Sequence, residues 1–400
     1  MKKESRLKNG MDMLYLAACA LHDEVPDSKR VSAMNVHGVM SEAMRHSMNG
    51  VTYLGIKKYA ESLPNAPIGA DADAMAGWKA GYAHIVRQTL LFAMEREKIL
   101  SFFDRSGIWY APMKGIILQN LYPQIGMRQM VDNDILFDGA YRAELKKYML
   151  ENGYRGGQDV GRVDAACHDT YLKKPIYNFE MHYSLHPATE KSAILRKYYS
   201  NIKERLLKDS DNACGYHMSD EDFYVYIITH AYKHYSDAGN GVRTFMDIYV
   251  YLSKKQDGLN FAYIEKELSY LGMADFEKMM RAVAFKLFSE PSHKNMLKFT
   301  AEEAEFLSFH IDSGVYGHRG NSMKRRLDTI SKGGKITFWV KCKYFVRRVI
   351  PDMDCYMFRY PLAYKYKVLI PFAVIARCLS AVCTSPKRVF NELKALKRMK

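Results

Sequence analysis

The spacing of apolar residues changes twice along the chain. From residue 11 to about 60 apolar side chains recur at helical intervals, as at Leu14, Leu16, Ala17 and Leu21. The pattern stops at Leu63 to Gly77, a stretch rich in Pro, Asn, Gly and Asp that reads as a linker. The stripe Val86, Leu90 and Ala93 then predicts a long helix from about Trp78 to Arg105, stopped by Ser106 and Gly107. Between Ile108 and Pro187 the period shortens. Strands are predicted at Trp109–Met113, at Ile135–Phe137 with the two preceding aspartates, at Thr170–Lys173 and at Tyr177–Leu185. The last two join around Lys174 and Pro175, and one helix, Gly139 to Asn152, is closed by Gly153. Helical spacing returns after Pro187. One helix starts at Ser219, with Asp222 at the third position of a capping box. No internal repeat is evident. The pattern predicts an α+β fold: a small mixed sheet with helices, flanked by N-terminal helices and a helical C-terminal region. The segments are 1–106, 107–215, 216–335 and 336–400.

Composition narrows this reading. Four hundred residues exceed one ordinary core, and 48% apolar with 26% charged residues describes a folded chain. The seven cysteines are scattered, with no C-x-x-C pair, which argues against a disulfide framework and a structural zinc site and fits a reducing cytoplasm. The apolar N-terminal stretch is broken by Asp12, His22, Asp23 and Glu24, so no secretion leader is expected. The longest apolar run, the 16 residues Val368 to Cys383, contains Pro371 and Arg377. It falls short of the roughly 20 residues that cross a bilayer, so no transmembrane segment is expected. Charge is unevenly placed. From Lys324 onward stand 19 Lys and Arg against 4 Asp and Glu, so the whole net charge of +15 lies there, and residues 1–323 balance at 40 against 40. Such a field suits an anionic partner such as RNA, a phospholipid surface with the protein peripheral to the membrane, or an acidic polymer; a solvated basic surface explains it equally well.

The chemistry-bearing residues cluster in the strand region. Asp132 and Asp134 fall two residues apart, hence on one strand face, expected to be polar and solvent-facing, with Ile135 and Phe137 on the other, buried side. In Tyr177–Leu185 the alternation leaves Asn178, Glu180, His182 and Ser184 opposite an apolar face. Two or three carboxylates on one rigid face suit magnesium, which takes oxygen ligands and keeps room for phosphates. A D-x-D pair alone is weak, because strand-end caps, calcium fragments and nucleotide-sugar glycosyltransferases also carry it. His230 and His234 stand one helical turn apart, a zinc-compatible spacing for which packing is the plainer role. Arg243 and Asp247 are spaced as an i,i+4 ion pair.

The order Ala111-Pro112-Met113-Lys114-Gly115-Ile116-Ile117-Leu118, Leu121-Tyr122-Pro123, then Arg128-x-x-x-Asp132-x-Asp134 resembles the uncharacterised nucleotidyltransferase family of the DNA polymerase β-like superfamily. Phe179-Glu180-Met181-His182 resembles that fold's third-carboxylate strand. Later segments also look like the family: His230 to His234, Gly241 to Asp247, Tyr316-Gly317, and Arg359-Tyr360-Pro361 to Pro371. The distinctive motifs lie between 113 and 182. The resemblance implies a nucleotidyltransferase core at 107–215. It further implies transfer of a nucleoside monophosphate from an NTP to a hydroxyl, with release of pyrophosphate. Asp132, Asp134 and Glu180 would hold Mg²⁺ or Mn²⁺, and Lys114, Gly115 and Arg128 the triphosphate. Many members of the wider superfamily have Gly-Ser where this chain has Lys114-Gly115, and Lys-Gly also looks like the antitoxin-controlled toxin enzymes. The acceptor, a small molecule, a saccharide, RNA or a protein, is therefore left open. Two other readings stand beside this one. A D-x-D glycosyltransferase would need more strands before the motif, and a non-catalytic relative would use only its basic C-terminal segment.

Overall fold

The computed structural model describes residues 3–69, 72–156, 167–186, 192–290, 298–315, 317, 319–331, 334–350, 353, 356 and 360–399. Pro187, Tyr316 and Arg359, and Cys355 among the seven cysteines, lie outside the described residues.

The N-terminal region holds four helices: α1 (Lys3–Leu21), α2 (Ser28–Ser32), α3 (Val36–Arg45) and α4 (Asn49–Ser62). Its polar interruptions explain why the helical pattern is broken. Asp27 and Asn35 accept from the backbone N–H groups of Arg30 and Gly38, capping α2 and α3. Every residue from Met13 to Ala20 is buried, so α1 is the central rod of this region. Helix α4 crosses it closely at Gly55, where a Cβ would stand 2.3 Å from the Leu16 carbonyl oxygen. Helix α5 (Ala72–Ser106) begins six residues earlier than predicted, so the linker is shorter, and it ends before Gly107 at φ +66°.

The sheet follows. Its elements are β1 (Tyr110–Pro112), α6 (Gly115–Gln119), β2 (Asn133–Phe137), α7 (Arg142–Glu151), β3 (Arg155–Gly156), β4 (His168–Lys173) and β5 (Tyr177–His182). The strand order is β1-β2-β5-β4-β3, with β2 and β5 parallel and every other neighbouring pair antiparallel. One face packs Tyr110, Ile135, Phe137, Tyr171, Phe179 and Met181 on Phe92, Ile99 and Phe103 of α5 and on Leu145 and Met149 of α7. The opposite face, through Ala111 and Leu136, joins the core built with the N-terminal helices and the helices that come later. The expectation of a solvent-facing side on β2 is thereby corrected: all five of its residues are buried, because helices cover both faces of the sheet.

After the sheet the chain forms α8 (Ala193–Tyr198) and a hairpin, β6 (Leu206–Lys208) with β7 (Tyr216–Met218), where only helices were predicted. Four helices follow: α9 (Asp220–Ser236), α10 (Arg243–Lys255), α11 (Phe261–Tyr270) and α12 (Ala274–Phe288). Ser219 caps α9 as expected, accepting from the Asp222 N–H at 3.1 Å. The Asp222 carboxylate, however, turns to Arg205 and Tyr263, so the reciprocal half of the box is replaced by an ion pair. A complete box instead opens the helix Ala301–Ser313, between Thr300 and Glu303.

One buried ion pair ties the sheet region to the later helices. Arg128 donates from Nε to Asp247 Oδ1 at 2.7 Å and from Nη2 to Oδ2 at 3.0 Å, while the Tyr122 hydroxyl donates to Oδ1 at 2.7 Å. Asp247 is thus shared between Arg128 and Tyr122, and the i,i+4 pair expected with Arg243 is replaced by this contact across 119 residues. Removing one partner leaves an uncompensated buried charge. Asp247→Asn should therefore cost about 3–5 kcal/mol in urea unfolding, and Arg128→Met combined with Asp247→Leu should recover most of that loss. A single mutant as stable as the wild type would show that the pair is not sealed from water.

Candidate active site

Position 114 sits where β1 ends and α6 begins. Lys114 has φ +44° and ψ −112°, a conformation that costs a side-chain-bearing residue free energy and that clusters at functional sites. The turn aims its ammonium at β2, where Nζ lies 2.6 Å from Asp134 Oδ1. Gly115 follows for a steric reason: a Cβ there would stand 2.6 Å from Arg128 Nη1. With Nε and Nη2 bound to Asp247, Arg128 presents only Nη1 to this turn, so it offers phosphate no free two-pronged fork.

Register brings the acids together. Asp134 pairs with Glu180 across the parallel β2–β5 seam, and His182, two residues further along β5, places Nε2 2.8 Å from Asp134 Oδ1 and 3.6 Å from Glu180 Oε2. One ligand atom each from Asp134, Glu180 and His182 lie within 4.8 Å of one another. Asp132 immediately precedes β2 and joins them through its field.

Electrostatics give these carboxylates unequal tasks. Burial, then repulsion from Asp134 and Glu180, raises Asp132 to about 6 against the pull of Lys114 and Arg243. Burial would raise Asp134 as well, but Lys114 and the His182 hydrogen bond outweigh it and hold Asp134 well below the usual carboxylate range. Glu180 is also lowered, with the His182 hydrogen bond overcoming burial. Burial opposes a charge on His182, yet the hydrogen bond to Asp134, with Cys167 and Glu180 close by, raises it to about 10. The site is therefore short of positive charge at one point, Asp132. A hard divalent cation fits an oxygen-rich set with such a deficit.

The wall facing this set is α9. Tyr226, His230 and His234 recur every fourth residue along it. Burial, then the nearby Lys114 charge, pushes His230 well below its ordinary value, and burial with Lys233 and Lys114 lowers His234 to about 4. Their Nε2 atoms are 3.3 Å apart, and no third metal ligand joins them among the described residues. The two histidines thus border the site as neutral rings. Arg243, at the start of α10, donates from Nη1 to the Gln129 carbonyl at 2.9 Å, and its charge reaches Asp132.

Two residues escaped the sequence reading. Cys167 and His168, at the start of β4, stand beside His182: the His168 and His182 rings are 4.7 Å apart and directly opposite in register. A Cys-His dipeptide just before a strand whose partner carries Glu-x-His was the available signal.

A family model described as an uncharacterised nucleotidyltransferase matches residues 32–289. No curated protein and no solved structure matches the chain.

The raised Asp132 fixes a pH dependence. Its folded value lies above the ordinary 3.8, so the folded protein holds that proton more tightly than the unfolded chain. The associated stability is complete below 3.8 and is lost as pH rises through about 6. In metal-free protein, Asp132→Asn should melt a few degrees above the wild type at about pH 8, and the gap should narrow toward about pH 4. A lower melting temperature for the variant at about pH 8 would contradict a strained carboxylate there.

Proposed function

Because the chain belongs to the uncharacterised nucleotidyltransferase family, we propose that it moves a nucleoside monophosphate from an NTP to a hydroxyl acceptor and releases pyrophosphate. The observation that carries this reading is the convergence of Asp132, Asp134 and Glu180 beside the strained Lys114 turn. In it, the acceptor oxygen bonds to the α-phosphorus while the bond from that phosphorus to the bridging oxygen of the β-phosphate breaks, and the electron pair leaves with pyrophosphate. The hydroxyl proton passes to Glu180. Asp132, Asp134 and Glu180 would hold Mg²⁺ or Mn²⁺, which when bound neutralises phosphate oxygens and polarises the reacting centre.

The chain's own cations have separate tasks. Lys114 faces the polyphosphate as a point charge, and Arg243, with no carboxylate partner among the described contacts, supplies a second. Arg128 positions the turn from beneath, through Gly115 and Asp247. His182 keeps Asp134 ionised and oriented. Incubation with labelled NTPs, Mg²⁺ and cell extract tests the reading. The double variant Asp132→Ala with Asp134→Ala should lose label transfer by about a thousandfold or more, given what electrostatic stabilisation contributes in such sites. Equal transfer by wild type and variant would end it.

A second feature supports attachment of the C-terminal segment to an anionic lipid surface, and we propose it as part of the function. In the helix Ile370–Thr384 and the turn before it, Val368, Phe372, Ile375, Leu379 and Val382 form a stripe at helical spacing that stays exposed, Val368 at 77% and Phe372 at 67%. The window Lys367–Thr384 is long and apolar enough to cross a membrane by length and composition, but it holds Lys367 and Arg377 and is flanked by Lys365 and Lys387. Aliphatic side chains flanked by lysines favour lipid over RNA, whose bases stack on aromatic platforms. The full chain should float with phosphatidylserine-containing vesicles and not with phosphatidylcholine alone. Phe372→Glu with Leu379→Glu should abolish flotation, and flotation that ignores both lipid charge and these substitutions would refute the attachment.

A further inference from the structure

We propose that Cys167, His168 and His182 form a second metal site, for a zinc-class ion, beside the carboxylate set. The argument begins with an atom that lacks a partner. His182 is 4% exposed, its Nε2 bonds Asp134, and its Nδ1 is buried with no hydrogen-bond partner. Leaving a buried polar nitrogen unmatched is costly, and such atoms commonly mark an ion or water site. The pairing of Nε2 with a carboxylate fixes which nitrogen is free. Without a metal His182 is protonated, so an incoming ion would displace the Nδ1 proton; the Nε2 bond to a carboxylate then holds the ring with its Nδ1 lone pair on the ion, the arrangement that orients metal-binding histidines.

His168 stands beside it. Its Nε2 lies 3.8 Å from Glu180 Oε2, and its Nδ1 lies 3.5 Å from Cys167 Sγ. With zinc–sulfur and zinc–nitrogen bonds of about 2.3 and 2.05 Å, a tetrahedral site has a sulfur–nitrogen edge of about 3.6 Å, close to that separation. One ligand atom from each of Cys167, His168 and His182 fall within 4.8 Å of one another. The backbone makes the set rigid. His168 and His182 are paired residues of adjacent antiparallel strands, and the Cys167 carbonyl accepts from the N–H groups of Tyr183 and Ser184 at 3.0 and 3.2 Å.

The chemistry of the donors selects the ion. One thiolate and two imidazoles suit zinc and its neighbours, not magnesium, and three protein ligands leave a fourth position open to water or to a substrate oxygen. Asp134 would then serve both sites, as an oxygen ligand on one side and as the group that orients His182 on the other. The site stands whether or not nucleotide transfer is the reaction, because its evidence is the binding of an ion.

Cobalt reads it directly. Metal-free full-length protein titrated with Co²⁺ should develop a near-ultraviolet sulfur-to-cobalt charge-transfer band that saturates at one equivalent per chain. Oxygen ligands do not produce that band, so Asp132→Ala should keep it. Cys167→Ser should abolish the band with the thermal melt preserved, and His168→Ala should weaken Co²⁺ binding at least about tenfold. A wild-type cobalt complex without the band, or a band that Cys167→Ser leaves intact, would overturn the proposal and leave the three residues as a thiol–imidazole hydrogen-bond cluster.

Discussion

A carboxylate sealed from water needs positive charge beside it, and much of this structure is arranged around supplying that charge to Asp134. Two cations reach the same oxygen, Lys114 Nζ at 2.6 Å and His182 Nε2 at 2.8 Å, and each is held by a different piece of the fold. Lys114 can reach only because its backbone takes a positive φ at the end of β1. His182 can reach only because β5 runs parallel to β2, in a register that sets Glu180 against Asp134. Neighbouring Asp132 receives no such partner and retains its proton more readily. The asymmetry between the two aspartates is therefore a product of strand pairing and one turn, not of the residues themselves.

A second layer of the same logic lies beneath the first. Arg128 cannot serve as an open anion clamp because Asp247 takes two of its nitrogens, and Asp247 acts on Arg243 only through its field, because Arg128 and Tyr122 take its hydrogen bonds. Arg243 is left to face Asp132. The exchange of partners leaves Arg243 without a carboxylate among the described contacts and keeps a glycine at 115, where a Cβ would press on Arg128 Nη1. The site is consequently assembled from both regions, with α9 contributing Tyr226, His230 and His234 as its far wall.

What could be read from the sequence followed local periodicity. The D-x-D and Glu-x-His patterns were legible because strand side chains alternate, and the order of strand, Lys-Gly turn, arginine and aspartates carried the family. The long α5 helix and the Ser219 cap were legible for the same local reason. The β6–β7 hairpin was not, since three-residue strands are too short to show a period. The buried front of β2 was missed because cover by helices from distant parts of the chain leaves no mark on its own alternation. Arg128 was assigned to the triphosphate and Asp247 to its helical neighbour Arg243, and tertiary packing pairs the two with each other. Cys167 and His168 gained meaning only from the β4–β5 register, which no spacing rule supplies.

The 119-residue reach of the Arg128–Asp247 contact also bears on how the protein is made. During synthesis the sheet residues leave the ribosome well before α10 does, so for that interval Arg128 has no acid to meet and the Lys114 turn has no support from below. Closing so long a loop is an entropic cost that only later packing repays, which places completion of this corner late in folding. A chain halted before residue 247 would carry all three acids and the Lys114 turn without the buried pair that seats them. Nascent protein would thus pass through synthesis with its chemistry unassembled until the helical region has emerged.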